Sequence, residues 1–97
     1  MLSWFDTRES KRFARDLALQ LLGTLETSTA KGEAKFMAKT EKALVRADRE
    51  VGDFRQRERM NFYKRSALAN TFLWTLKDGG CPTEYATQLT EWLTVRL

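Results

Sequence analysis

A line of basic residues is the part of this sequence with the clearest binding chemistry. Lysine or arginine recurs every three or four residues from Lys35 to Arg49, and two further cations follow in the same helical register. We call this set the basic face: Lys35, Lys39, Lys42, Arg46, Arg49, Arg57 and Lys64. At 100° per residue these side chains fall on one side of a helix. A row of cations of this kind can neutralise the phosphates of a nucleic acid.

Three observations weaken a nucleic-acid interpretation of the basic face. Asp53 lies within it and Glu50 beside it, and no aromatic residue interleaves with the cations to stack on bases. The net charge of +4 is also mild and permits an anionic partner without requiring one. A solvated helix surface is the simpler interpretation, and nucleic acid is a possible partner that the sequence does not favour.

The residue types that support catalysis or metal binding are nearly absent from the chain. It has no histidine and a single cysteine, which removes the commonest general base and the commonest metal ligands. Cys81 precedes a predicted helix, whose positive end favours the thiolate, but no cationic partner can be placed beside it. Gly79-Gly80 follows a helix and does not resemble a phosphate-binding loop. We therefore expect no enzyme, no metal and no cofactor, and an inert cysteine.

The element that positions the basic face is a predicted helix from Glu33 to Lys77. This stretch contains no proline and one glycine, Gly52. Its apolar side keeps one direction across that glycine; the members are Phe36, Ala43, Ala47, Val51, Phe54, Phe62, Ala69, Phe72 and Leu76. An unbroken helix would be about 65–70 Å long at 1.5 Å per residue. The alternative is a break at Gly52-Asp53, where the glycine would end one helix and Asp53 would cap the next.

Two shorter helices are predicted on either side of the long one. The first begins at Thr7, after Asp6 as N-cap, and fades near Thr27. The last begins at Pro82, after the Gly79-Gly80 turn, and its apolar side should pack against the end of the long helix. The fold class is therefore all-α in a single domain, residues 1–97. It has a long central amphipathic helix with two shorter antiparallel helices, or it is a four-helix bundle if the chain breaks at Gly52.

Charged residues interrupt the apolar side of the long helix between residues 55 and 65. They are Arg55, Glu58, Arg59 and Arg65. Charges that face a core are costly unless they are paired, so we interpret them as setting the register of a dimer, with Glu58 of one copy against an arginine of the other. Trp74 points away from the apolar direction, and Trp4 precedes the first helix. Both are candidate interface residues.

These features predict a small, non-enzymatic helical interaction or assembly module that associates with itself, most simply as a two-fold homodimer. The alternative is a nucleic-acid-binding protein that uses the basic face. No apolar run is long enough to span a membrane, and residues 1–6 lack the pattern of a signal peptide. We therefore expect a cytoplasmic protein. The sequence does not identify any partner other than a second copy of the chain.

Overall fold

A computed structural model describes the backbone of residues 6–29 and 33–97, and the side chains of residues 6–24 and 41–97. Four helices account for most of it: α1 (Arg8–Thr29), α2 (Glu33–Arg57), α3 (Phe62–Asp78) and α4 (Thr83–Arg96). The described residues contain no strand, so the all-α prediction is confirmed in its four-helix form. Among them, no helix combines the length and the apolar character that crossing a bilayer requires.

The prediction of one unbroken helix from Glu33 to Lys77 is wrong. The chain leaves the helix after Arg57 and starts a new one at Phe62, and the longest dimension of the fold is only 50 Å. The alternative break at Gly52 is wrong as well, because α2 continues through that residue. The interruption falls instead among the charged residues that follow Phe54.

Asn61 is the residue that starts the new helix. Its backbone is extended, with φ −131° and ψ 175°, and its side-chain oxygen accepts a hydrogen bond of 2.8 Å from the backbone N–H of Lys64. Asparagine is among the best residues for this capping geometry and competes with a continuing helix. A local hydrogen bond therefore fixes where α3 begins.

Burial of the second half of the predicted helix is the reason for the interruption. A straight helix would carry Leu68, Phe72 and Leu76 away from α1, whereas in the folded chain all three are fully buried. Each such side chain contributes about 1.5–3 kcal/mol when it leaves water. Each backbone hydrogen bond surrendered at a helix end costs about 0.5–1.5 kcal/mol. Burial of three large side chains therefore outweighs the loss of one helical turn.

The helices close a ring in the order α2, α1, α3, α4, with the most extensive packing between α1 and α3. Phe13 of α1 stacks on Phe54 near the end of α2, so these two helices are antiparallel. Leu22, late in α1, lies against Gly79 at the end of α3, which makes α1 and α3 parallel neighbours. In α4, Arg96 pairs with Asp48 of α2 at 2.8 Å and closes the ring.

Small residues on α1 allow this close packing. Ser10, Ala14 and Ala18 recur at every fourth position and are almost completely buried, so they form one line along the helix. Without large side chains between them, the backbones of α1 and α3 can approach closely. The larger Leu17 and Leu21 complete the buried side of α1, as the sequence predicts.

The turn between α3 and α4 follows the predicted glycine pattern. Gly80 has a φ of +91°, a conformation that costs a residue with a side chain about 1–2 kcal/mol. The N–H of Cys81 donates to the carbonyl of Leu76 at 3.0 Å, and the N–H of Gly80 donates to that of Lys77 at 3.1 Å. These are the two hydrogen bonds of a Schellman cap. They direct α4 back along α3.

Two glycine substitutions test these assignments in opposite directions. Gly52 is exposed within α2 and a Cβ there would meet open space, so Gly52→Ala should raise the free energy of unfolding by about 0.5–1 kcal/mol. Gly80→Ala should lower it by about 1–2 kcal/mol because of its positive φ. Urea titration followed by circular dichroism, at one protein concentration, measures both. A less stable Gly52→Ala protein would contradict a helix that runs through residue 52.

Candidate functional site

A groove between α1 and α3 presents the most unusual surface of the described chain. It has a volume of about 780 Å³. Its lining residues are Thr7, Lys11, Arg15, Phe62, Tyr63, Ser66, Ala67, Asn70, Thr71, Trp74, Thr75 and Asp78. Three of them, Phe62, Tyr63 and Trp74, are large aromatic side chains exposed by 83%, 51% and 56% respectively. We call these three residues the aromatic rim.

The register of α3 explains why the aromatic rim faces outward. The buried residues of this helix are Lys64, Leu68, Phe72 and Leu76, at every fourth position. The sequence prediction placed Phe62 with Phe54 on one apolar side. This is wrong, because Phe62 is the first residue of α3 and precedes Lys64, where the buried line of that helix begins. Trp74 is exposed, as its periodicity predicts, and the ammonium group of Lys77 lies 4.8 Å from its ring centroid. That cation holds the indole against α3 without covering it.

A second groove, on the other side of α1, has a different chemical character. It lies between α1 and α2, has a volume of about 720 Å³, and is lined by Phe13, Asp16, Leu17, Gln20, Glu50, Asp53, Gln56 and Arg57. The ring of Phe13 stacks on that of Phe54, with centroids 4.3 Å apart and planes inclined by 10°. The guanidinium of Arg57 lies 5.8 Å from the Phe54 centroid. The lining of this groove therefore combines one aromatic ring, Phe13, with three carboxylates, Asp16, Glu50 and Asp53.

The predicted basic face does not lie along one helix. Lys42, Arg46 and Arg49 are exposed together on α2, beside Glu41 and Val45. Arg57 is at the last turn of α2 and lines the α1–α2 groove. The side chains of Lys35 and Lys39 lie outside the described residues.

Lys64 departs furthest from the predicted basic face. It belongs to α3, where it is buried at the start of the core-facing line, and its ammonium group lies 3.9 Å from a carboxylate oxygen of Glu58. Its long apolar stem can pack against the core while the charge stays near its partner. Lys64 is thus a structural residue, and the cations that share one surface are fewer than the sequence predicted.

The four charged residues assigned to dimer register surround the interruption between α2 and α3. Arg55, Arg59 and Arg65 are exposed there, and the Arg65 guanidinium donates to the carbonyl of Thr94 at 3.4 Å. Glu58 has its partner, Lys64, within the same chain. Glu58 and Arg65 thus have partners within the chain, Arg55 and Arg59 face solvent, and the role of all four between copies stays a prediction. Trp4, the other predicted interface residue, lies outside the described residues.

The described side chains do not assemble a metal site. No group of three or more cysteine or acidic residues within them is arranged to hold an ion. Cys81 is buried, and this burial raises the pKa of its thiol. Removal of the sulfur from water is the cause of this shift, and it disfavours the thiolate.

Comparison of the chain with protein-family models, with curated proteins and with solved structures gives no match. The candidate site therefore depends on the geometry of this chain alone. Sequence reasoning missed Phe62 and Tyr63 as surface residues. The signal that reveals them is Asn61, a capping residue placed directly before two aromatic residues.

Cys81 should react slowly in the folded protein. Alkylation requires the thiolate, and a raised pKa together with burial keeps its population and its access low at pH 7–8. Labelling with iodoacetamide, followed by mass spectrometry, should be several-fold slower in the native chain than in urea. The native rate should rise with pH beyond the usual range of a free cysteine. Native labelling as fast as that of the unfolded chain would contradict the buried position of Cys81.

Proposed function

We propose that the chain is a non-enzymatic helical interaction module that associates with itself through the surface beside α1. The observation that supports this most is the aromatic rim. Large exposed apolar patches are uncommon on soluble monomers and mark interaction sites. Aromatic residues are also enriched at the centres of interfaces.

The size of the chain is compatible with such an association. A standard interface buries about 800 Å² on each partner, which is about an eighth of the 6729 Å² accessible surface of this chain. Three exposed aromatic residues with their neighbours can form the centre of such an interface, and we expect association at micromolar concentration.

The oligomeric mass tests this proposal. Light scattering after size-exclusion chromatography, over a range of micromolar concentrations, should give a mass above the 11.3 kDa of one chain. Phe62→Ser should return the mass to that of the monomer, because it removes the most exposed residue of the aromatic rim. Val95→Ser is the matched control, since Val95 is 82% exposed but lies on α4. A wild-type mass of 11.3 kDa throughout would overturn the proposal.

Nucleic-acid binding is the second candidate function, and the observation in its favour is the exposed group Lys42, Arg46 and Arg49 on α2. These cations are one helical turn apart, a spacing that can follow phosphates. Glu41 lines the same surface, and the aromatic rim lies on another helix. The self-association proposal therefore has the stronger support.

Salt dependence separates the two candidates. If the chain binds nucleic acid, neutralisation of three phosphates gives a slope of log K against log salt of about −3. The affinity for labelled DNA or RNA, measured by fluorescence anisotropy, should then fall steeply between two salt concentrations. Under the favoured proposal we expect no binding of this strength. Salt-sensitive binding that disappears in Arg46→Glu, with the oligomeric mass unchanged, would favour the alternative.

A further inference from the structure

The two grooves beside α1 are unlike each other, and this difference indicates how copies of the chain pair. We propose that the aromatic rim of one copy occupies the α1–α2 groove of the next copy, in a head-to-tail contact. This inference depends on the proposed self-association and specifies its geometry. The occupant of the α1–α2 groove is therefore a second copy of this chain.

Charge complementarity is the first argument for this occupant. The α1–α3 groove presents the cations Lys11 and Arg15 with one carboxylate, Asp78. The α1–α2 groove presents three carboxylates, Asp16, Glu50 and Asp53, with one cation, Arg57. Opposite charges on facing surfaces guide association and exclude wrong partners. Pairing of the unlike grooves brings nearly equal numbers of opposite charges together.

A pairing of like grooves is less favourable for the same reason. Two α1–α3 grooves face to face would place twice as many cations as carboxylates in one interface. Two α1–α2 grooves face to face combine an excess of carboxylates. Both arrangements bring like charges into one interface, which is unfavourable.

Packing between aromatic rings is the second argument. Phe62 projects from the start of α3 and is the most exposed large apolar side chain of the described residues. Phe13 lines the α1–α2 groove, where its ring is partly exposed and stacks on Phe54. Aromatic rings at an interface pack favourably on one another in offset or edge-to-face arrangements. The projecting ring of one copy thus has an aromatic receiving surface on the next.

The symmetry of the assembly follows from the use of two different surfaces. A contact between unlike surfaces leaves one unused groove at each end of a pair, so further copies can add. The product is a closed ring if the rotation between copies closes, and an open linear assembly if it does not. This differs from the closed two-fold homodimer expected from the sequence. The mass should therefore rise beyond two copies as the concentration increases.

Two charge-reversed variants test the inference by mixing. Lys11→Glu with Arg15→Glu alters the α1–α3 groove, and Asp16→Lys with Asp53→Lys alters the α1–α2 groove; all four residues are exposed. Each variant alone should be a monomer of 11.3 kDa by light scattering. Mixed in equal amounts, they should associate again to at least twice that mass, because one intact groove from each variant can pair and the two charge-reversed grooves are complementary as well.

Arg46→Glu with Arg49→Glu is the matched control, since it reverses two exposed cations outside both grooves and should leave the mass unchanged. Circular dichroism confirms that each variant is folded. If the lysine–arginine variant unfolds, Phe62→Ser replaces it in the mixture and should give a dimer, because only its intact α1–α2 groove can pair with the other variant.

Each possible outcome distinguishes the inference from the proposed function. Two monomeric variants that associate with each other on mixing support the head-to-tail contact. If the variant altered in the α1–α2 groove associates like the wild type, or if the mixture stays monomeric, the head-to-tail contact is wrong while self-association remains. A wild-type chain that is monomeric at every concentration overturns both.

Discussion

The close packing of α1 against α3 is the constraint on which the rest of this structure depends. Ala14, Ala18 and Ser10 are small, buried side chains of α1, and small side chains let a neighbouring helix approach closely. Apolar burial is the dominant favourable term in folding. To bring Leu68 and Phe72 into that contact, the chain has to leave its helix after Arg57 and restart at Asn61. The four-helix ring, the turn at Gly80 and the closing ion pair of Arg96 follow from this arrangement.

The same constraint determines what the surface presents. Once every fourth residue of α3 from Lys64 onward faces the core, Phe62 and Trp74 are directed outward. Because α1 is the neighbour of both α2 and α3, it contributes to a groove on each side, with cations on one and carboxylates on the other. Both surfaces are direct products of core packing.

Local periodicity was sufficient to predict α1, α4 and the glycine turn, since each has a strong apolar pattern or a clear cap. It was not sufficient to find the interruption at residues 58–61. The apolar direction continues from Phe54 to Phe72 as if the helix were unbroken, and no glycine or proline marks the break. Tertiary burial and the Asn61 cap favour the broken form, and a prediction from helical period includes neither of them. The exposure of Phe62 and the burial of Lys64 were missed for the same reason.

The most direct test of the account is an NMR concentration series on the ¹⁵N-labelled chain. If the two grooves pair, the amide resonances around Phe62 and Trp74 and those around Phe13 and Asp53 should shift or broaden together as the concentration rises. Resonances around Val45 and Val95, exposed outside both grooves, should not change. Constant groove resonances while the mass increases, or changes confined to the α1–α3 groove, would contradict the claim that α1 presents two complementary surfaces.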